Sequence, residues 1–297
     1  MGQCFVTVLM TAYNREKYIA EAIESVLAST YTEFELFIVD DRSTDNTLAI
    51  AKEYEAKDQR IRVFANEINL KDYPNRNYAA SLAKGKYIKY VDSDDTIYPW
   101  GLEAMVHCME RCPGAAYGLI SYNMKSDKQF PILLDPVAAY YAFYFKGSMI
   151  ITGPTGAIFN REIFEKVNGF SGKPYLGDTE MWLKLSKEYG LVAMPLDLVW
   201  WRQHDDQQFT EGMKNNYYEN NRYHVLLDAL KDPACPLTGN YKKQATRNLK
   251  NRYARSLLLD LGRGRVKRFF SMYKSFGLSI GDMLKCIRFN RYPPLPK

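Results

Sequence analysis

An α/β fold with a mostly parallel sheet is predicted by three observations on this sequence of 297 residues. Short apolar runs and helical periodicities alternate through the first hundred residues, which is typical of strand–helix–strand crossovers. Polar clusters follow the apolar runs, as expected where parallel strands end at a binding site. The composition, 46% hydrophobic and 25% charged, is that of a globular protein and excludes disordered, collagenous and coiled-coil classes.

The elements of the first hundred residues follow in chain order. Residues 5–10 form an apolar run that suits a strand buried on both faces, and residues 18–27 carry apolar side chains at helical spacing. Strands and helices that alternate at this spacing imply right-handed crossovers and a parallel sheet. The alternation continues as strand 34–39, helix 47–56, strand 61–65, helix 75–83 and strand 87–91.

The pattern is looser in the second hundred residues. Residues 123–156 hold aromatic and turn residues without a clear period, and we expect a long functional loop there. We expect a catalytic domain over residues 1–210 and a basic helical extension over 211–297. The remaining predicted elements are a helix at 102–111, a strand at 118–122, a helix at 179–187, edge or return strands at 192–194 and 197–201, and helices from about Met213 onward with a break near 233–239.

Charge divides the chain unevenly. Residues 241–297 carry 15 lysines and arginines against Asp260 and Asp282, a net charge of +13, whereas residues 1–240 carry −7. Two interpretations of the basic extension remain open. It binds an anionic membrane surface or a lipid-linked diphosphate, or it is a helical subdomain with a solvated basic face. Nucleic-acid binding is not expected because no recognised binding module is present.

Cysteine usage and hydropathy address cellular context. Cys108 and Cys112 lie four residues apart on a predicted helix, and with three histidines in the chain we expect buried thiols rather than a zinc site. No apolar run approaches the ~20 residues that a membrane span needs, and the N-terminal residues do not resemble a secretory signal. The sequence therefore predicts a cytoplasmic protein.

Three polar clusters mark the predicted strand ends: Thr11–Asn14, Asp40–Asp41 and Asp92–Asp95. Neither a Gly-x-Gly-x-x-Gly fingerprint nor a P-loop is present, which argues against a dehydrogenase and a P-loop kinase. Close-set carboxylates repel one another, so the last cluster suits a hard cation such as Mg²⁺ or Mn²⁺ that bridges a diphosphate. The alternative is a solvated acidic turn in which Asp95 caps the helix near Pro99.

Six ordered motifs carry a family resemblance over residues 5 to about 205. The set resembles the inverting family 2 glycosyltransferases, which have the nucleotide-diphospho-sugar transferase (GT-A) fold. The wording of Phe34–Ile38 and Asp94–Tyr98 is nearest to the spore-coat polysaccharide branch. The motifs are Val8–Arg15 with Tyr18 and Ile19, Ile38–Thr47, Arg76–Asn77, Lys84–Asp95, Gly156–Arg161 with Val167–Phe170, and Gly177–Leu183.

The resemblance implies a role for each matching residue. Asp178 falls at the position of the catalytic base. The structural alternative is that Asp178 is the N-terminal cap of the helix that starts at Thr179. Asp94 is implied as the direct metal ligand, with Asp95 as a rival and His204 as a further candidate. The implied donor-binding residues are Thr11, Tyr13 and Asn14 in the nucleotide pocket, Asp41 on the uracil N3–H, Arg76 on the base or a phosphate, and Asp92 with Asp94 as the Asp-x-Asp element.

Departures from the family pattern are also visible. Arg42 stands where the family usually has glycine, and the usual Gly-Phe-Asp-Glu reads Gly169-Phe-Ser-Gly172. The usual Glu-Asp pair reads Gly177-Asp178, so a single carboxylate must serve as base. Because no Gln-x-x-Arg-Trp motif occurs, a processive synthase of the cellulose or chitin type is not expected.

The function that the resemblance implies is metal-dependent, inverting transfer of a hexosyl or N-acetylhexosaminyl group, with Mn²⁺ or Mg²⁺ as cofactor. The donor would be a UDP-sugar and the acceptor a hydroxyl of a glycan or lipid-linked sugar in surface polysaccharide synthesis, with peripheral attachment to the inner face of the membrane. The alternatives are a nucleotidyltransferase, whose Gly-rich basic loop is missing, and a non-catalytic module that binds nucleotide sugars or a membrane surface.

Overall fold

The computed structural model describes residues 5–121, 128–147, 149–204 and 217–286. The chain divides into two compact units, Met1–Asp135 with Ser148–His204, and Pro136–Gly147 with Asp205–Lys297. The first unit contains a sheet flanked by helices and the second is helical, as predicted. The boundary expected at residue 210 lies outside the described residues.

The first unit is built on an eight-stranded sheet of order β3-β2-β1-β4-β8-β6-β9-β7, beside a two-stranded antiparallel ribbon of β5 and β10. The strands are β1 Val6–Ala12, β2 Phe34–Asp40, β3 Ile61–Ala65, β4 Tyr87–Tyr90, β5 Thr96–Ile97, β6 Ala115–Ile120, β7 Ile132–Leu134, β8 Ala157–Asn160, β9 Gly190–Met194 and β10 Val199–Trp200. The helices of both units are α1 Ile19–Leu27, α2 Thr47–Glu55, α3 Asp72–Leu82, α4 Gly101–Glu110, α5 Pro136–Tyr141, α6 Arg161–Lys166, α7 Gly177–Leu185, α8 Tyr217–Lys231, α9 Gly239–Gly262, α10 Val266–Phe276 and α11 Ile280–Lys285.

The predicted parallel half of the sheet is confirmed. Strand β1 pairs in parallel with β2 on one side and β4 on the other, and β2 pairs in parallel with β3. Strand β1 is buried along most of its length because helices cover both faces, which explains its nearly continuous apolar run. The carboxyl ends of β1, β2 and β4 therefore open at the same edge, where the polar clusters lie.

The second half of the sheet departs from the prediction. Strand β8 runs antiparallel between β4 and β6, and β9, expected as an edge or return strand, is interior because β7 covers its outer edge. The stretch 123–156, expected as a long functional loop without a clear period, contains β7 and α5 among its described residues. Helix α3 also starts at Asp72 rather than near Asn75, since the first turn tolerates Pro74.

The second unit confirms the predicted helices and their break, as far as the structure describes them. Its interior holds Tyr223, Tyr253 and Phe276, whose ring centroids lie 4.7–5.0 Å apart. The segment Ala142–Lys146, a π-helical turn that continues α5, is also part of this unit. None of the described helices is both long enough and apolar enough to cross a membrane.

The predicted buried thiols are confirmed. Cys108 and Cys112 on and just after α4 are free and buried, and burial raises the pKa of both. These side chains belong to the same hydrophobic core as the buried residues of β1 and β2.

Candidate active site

The end of β1 and the turn after it hold three of the predicted nucleotide-binding residues. Thr11 is the penultimate residue of the strand, and its carbonyl accepts a hydrogen bond from Ser93 Oγ at 2.9 Å. Tyr13 is exposed at 46%. Asn14 has a left-handed backbone (φ 53°), and its Oδ1 accepts from the Thr44 N–H at 2.8 Å. The turns after β1, β2 and β4 are thus joined to one another.

Asp41 is buried at the end of β2, with 3% of its surface exposed. Its Oδ1 accepts hydrogen bonds from Asn66 Nδ2 (2.8 Å) and the Leu70 N–H (2.7 Å), and its Oδ2 accepts from the Lys71 N–H (2.9 Å). A carboxylate has about four acceptor positions, so roughly one remains, on Oδ2. Asn66 Nδ2 also donates to Asn75 Oδ1 at 2.8 Å, which ties this segment to helix α3.

Arg76 is buried on α3 between two carboxylates. Its Nε donates to Asp72 Oδ1 at 2.7 Å and its Nη1 to Asp92 Oδ1 at 2.6 Å, while the guanidinium lies 5.7 Å from the Tyr90 ring centroid. Burial by itself lowers the pKa of Arg76, but Asp72 and Asp92 hold it well above the ordinary arginine value. The site therefore contains a fixed positive charge beside the Asp-x-Asp element.

Asp94 lies among cationic and aromatic side chains. Its Oδ2 accepts a hydrogen bond from Arg15 Nε at 2.9 Å and lies 3.1 Å from His204 Nε2. The His204 ring packs against the Tyr18 ring at a tilt of 31°, with centroids 4.6 Å apart. The structure thus brings two predicted metal ligands, 110 residues apart in sequence, into contact, and adds Arg15, whose role the sequence analysis did not assign.

Asp95 is buried rather than solvated. Its Oδ1 accepts from the Arg202 N–H at 3.1 Å, and the Thr155 hydroxyl also hydrogen-bonds to the carboxylate. Burial, followed by the charges of Asp92 and Asp94, raises the pKa of Asp95 to about 8. The interpretation of Asp95 as a helix cap is wrong, because α4 begins at Gly101 with Trp100 as its N-terminal cap residue.

A lysine without exposed surface lies beneath this turn. Lys89 Nζ donates to the carbonyls of Tyr90 (2.8 Å) and Thr155. Burial lowers the pKa of Lys89 to about 7, against the opposing effect of Asp92 and Asp95. Since Thr155 Oγ1 also accepts from the Asp92 N–H at 3.0 Å, Lys89 and Thr155 together support the backbone of the carboxylate turn.

Asp178 lies in the first turn of α7, partly exposed. Its N–H donates to the Tyr73 hydroxyl at 3.1 Å, which links α7 to α3, and its carboxylate accepts from the Thr179 N–H. The capping interpretation is wrong, because α7 starts at Gly177 and its cap residue is Leu176. A Cβ at Gly177 would lie 2.7 Å from the Tyr73 ring, so the ring fills the space that a side chain would need there.

The donor set fits a divalent cation shared with a bound diphosphate. Among the described residues, no group of three or more His, Cys, Asp or Glu side chains is arranged to hold a metal alone. Asp94 and His204 provide a carboxylate and an imidazole at one point, and Mg²⁺ is usually held by one or two carboxylates plus substrate phosphates. Two protein groups and the phosphates together therefore suffice for such a site.

Comparison with known proteins identifies the family. The glycosyl transferase family 2 model matches residues 7–167, more than half of the chain, so the protein belongs to this family. The putative glycosyltransferase EpsE of Bacillus subtilis is 42% identical over 107 residues, which is 36% of this chain and 38% of EpsE. WfgD of Escherichia coli, a UDP-Glc:alpha-D-GlcNAc-diphosphoundecaprenol beta-1,3-glucosyltransferase, is 38% identical over 109 residues, covering 37% of this chain and 42% of WfgD. The chain thus matches less than half the length of either relative.

Solved structures confirm the GT-A fold. TarS 1–349 of S. aureus in complex with UDP-GlcNAc aligns with 84% of this chain and 72% of its own, with a TM-score of 0.63 and 21% identity. The mannosyltransferase PcManGT from Pyrobaculum calidifontis, in complex with GDP-Man and Mn²⁺, aligns with 96% and 88%, with a TM-score of 0.63 and 16% identity. At these identities the likeness concerns the fold alone.

Proposed function

We propose that this protein transfers a sugar, with inversion, from a uridine diphosphate sugar to a hydroxyl of a glycan or lipid-linked acceptor. One observation carries the proposal. Helix α3 joins the groups that the reaction needs, because Arg76 binds Asp92 and Tyr73 accepts a hydrogen bond from the backbone of Asp178. A role in surface polysaccharide synthesis is supported by WfgD, whose acceptor is a lipid-linked sugar.

In the proposed reaction the acceptor oxygen forms a bond to C1 of the donor sugar on the face opposite the diphosphate. The bond from C1 to the diphosphate oxygen breaks and its electron pair leaves with the nucleotide. Asp178 takes the acceptor's hydroxyl proton, and Arg76 holds positive charge beside the Asp-x-Asp turn. A single displacement of this kind inverts the anomeric centre.

A bound Mn²⁺ or Mg²⁺ would supply charge neutralisation for the leaving diphosphate. Asp94 and His204 would hold it, with Asp95 as the buried neighbour that fixes the turn. Arg15, which donates to Asp94 Oδ2, keeps this carboxylate oriented. The Mn²⁺ in the PcManGT complex supports a divalent ion at such a site.

The choice of a uridine nucleotide rests on Asp41. The carboxylate is fixed by three protein donors, and its remaining acceptor position on Oδ2 would bind the N3–H of uracil, which cytosine lacks. The TarS complex with UDP-GlcNAc supports this assignment, whereas the GDP-Man complex of PcManGT makes guanosine the alternative to test.

A thermal-shift panel tests the donor. UDP should raise the melting temperature more than CDP or GDP. At a hundredfold excess over its Kd, UDP stabilises the folded state by about 2.7 kcal/mol, and Mn²⁺ should enlarge the shift. Asp94→Asn should lose the Mn²⁺-dependent part, whereas the control Asp58→Asn, in the turn after α2, should retain it. Equal shifts for all three diphosphates would contradict the uridine assignment.

We also propose a catalytic domain over residues 1–210 and a basic helical extension over 211–297 that attaches to anionic membranes. Phe270, Ile280 and Leu284 expose 62%, 73% and 67% of their surfaces, close in sequence to the exposed Lys267 and Lys285. Apolar side chains flanked by lysines are the pattern of an interfacial helix, and each lysine contributes about 1 kcal/mol near an anionic surface.

Sedimentation with liposomes that contain anionic lipid tests the attachment. The full chain should pellet at low salt and be released near ~0.5 M salt, because screening weakens the lysine contacts. Phe270→Ser should reduce the pelleted fraction, whereas Ile68→Ser, which changes an exposed side chain of the first unit, should not. A full chain that stays in the supernatant at low salt would refute the attachment.

A further inference from the structure

An aromatic cavity of about 480 Å³ adjoins the carboxylate turn on the side of the β5–β10 ribbon. This volume falls in the range of small-molecule sites. None of the functions assigned above uses the cavity as a whole. It is lined by Tyr18, Trp200, Trp201, Arg202, Gln203 and His204.

Two neighbouring tryptophans of this cavity are exposed. Trp200 exposes 42% of its surface and Trp201 exposes 45%. Trp200 is the last residue of β10, and Trp201 follows the strand. The two-stranded ribbon lies outside the eight-stranded sheet, and both indoles are partly in solvent. Large aromatic surfaces left exposed beside a cavity are typical of ligand contact.

Polar contacts connect the cavity wall to the carboxylates. Arg202 donates from its N–H to Asp95 Oδ1 (3.1 Å) and from its Nε to the Asp94 carbonyl (2.9 Å), and its guanidinium lies 4.6 Å from the Trp200 ring centroid. His204 lines the cavity and lies 3.1 Å from Asp94 Oδ2. A ligand in the cavity that contacts His204 is therefore separated from Asp94 by this one side chain.

We propose that this cavity is the acceptor subsite, in which a pyranose ring of the acceptor stacks on Trp201 or Trp200. The inference rests on the proposed glycosyl transfer. A pyranose has an apolar C–H face that suits an indole and hydroxyls at its rim that suit Arg202 and Gln203. The donor is bound through its charges at the ends of β1, β2 and β4, whereas an acceptor sugar presents neutral hydroxyls and needs aromatic contact.

Fluorine NMR of the full chain labelled with 5-fluorotryptophan tests the subsite. The chain has four tryptophans, and each resonance is assigned by one Trp→Phe variant. The titrants are methyl glycosides of glucose, galactose, mannose and N-acetylglucosamine, with UDP and Mn²⁺ present. We expect at least one glycoside to shift the Trp200 or Trp201 resonance in a saturable way.

Two tryptophans serve as internal controls. Trp182 is fully buried and should not shift, and Trp100, which is 51% exposed and stacked on Tyr98, reports non-specific contact with sugars. Trp201→Ala or Trp200→Ala should weaken glycoside binding about tenfold while the Kd for UDP changes less than twofold, since stacking contributes on the order of 1 kcal/mol. Trp100→Ala should change neither constant.

The outcomes separate this inference from the proposed function. The acceptor subsite is refuted if UDP binds but no glycoside shifts the Trp200 or Trp201 resonance, or if the Trp100 resonance shifts equally. In either case the donor proposal stands. Shifts caused by UDP-GlcNAc, but not by UDP or the glycosides, would assign the cavity to the donor sugar and also refute it. If UDP itself does not bind, the proposed function fails first.

Discussion

The parallel half of the sheet and the β5–β10 ribbon differ in how far their functional side chains are buried. After β2 and β4, Asp41 and Asp95 are each 3% exposed, and the protein donates three hydrogen bonds to Asp41 and two to Asp95. At the end of the ribbon strand β10, Trp200 and the following Trp201 are more than 40% exposed. A site that binds charge must be preorganised, because reorientation of dipoles during binding costs free energy. A surface that stacks on a sugar needs only an accessible ring.

The largest expected difference between the two regions is in folding stability. Arg76→Met should lower the free energy of unfolding by about 3 kcal/mol, since it leaves Asp72 and Asp92 without their buried partner. Trp201→Ala should cost less than about 1 kcal/mol because the ring is already half in solvent. Urea denaturation measures both. Arg60→Met, which breaks a local pair with Asp58, is the control, with an expected loss below about 1 kcal/mol. Equal losses for Arg76 and Trp201 would contradict the comparison.

The next effect concerns catalysis. Asp178→Asn should lower turnover by about a hundredfold or more, equivalent to about 2.7 kcal/mol of barrier, because proton transfer is lost while the Tyr73 contact to its backbone remains. Donor affinity, measured by calorimetry with UDP, should change only a few-fold. Glu180→Gln is the matched control on the same helix, where Glu180 pairs with Lys173. Normal turnover in Asp178→Asn together with loss in Glu180→Gln would move the base to Glu180.

A smaller effect should appear as a pH dependence. The folded pKa of Asp95 is about 8, against 3.8 for the ordinary carboxyl, so the folded state binds more protons than the unfolded state between these values. Its contribution to stability is complete below about pH 4 and is lost as the pH rises to 8. Between pH 5 and 7, with a chelator present, the protein should lose about 2 kcal/mol relative to Asp95→Asn. Identical pH profiles from urea melts at each pH would contradict the raised pKa.

The smallest effect is expected at Arg42, which has a left-handed backbone (φ 64°). Non-glycine residues are strained in this conformation, whereas glycine adopts it without steric cost. Arg42→Gly should raise the free energy of unfolding by about 1 kcal/mol. The control is Arg62→Gly, an exposed position within β3, which should destabilise. A loss of stability in Arg42→Gly would show that the arginine side chain makes a contact that outweighs its strain.

Much of the fold was predictable because its signals are local. The strands and helices up to the end of β4 have short apolar runs and periodic faces that depend only on neighbours in sequence, and the predicted bounds of β1, β2 and β3 agree with the structure within about two residues. Strand β7 was not predicted, because three residues without alternation carry no period. Its position beside β9 follows from tertiary pairing and moves β9 from the edge to the interior.

By itself the sequence determined the parallel half of the sheet, the order of the motifs and the carboxylates at the strand ends, since each depends on residue types within a few positions. Tertiary structure alone decided which of those carboxylates are buried, that Tyr73 and Asn75 connect Asp178 and Asp41 to α3, and that His204 reaches Asp94. The contacts of Tyr73 with Asp178 and of His204 with Asp94 join residues 105 and 110 positions apart. Their formation depends on the packing of whole helices against the sheet, and no local pattern of side chains encodes that packing.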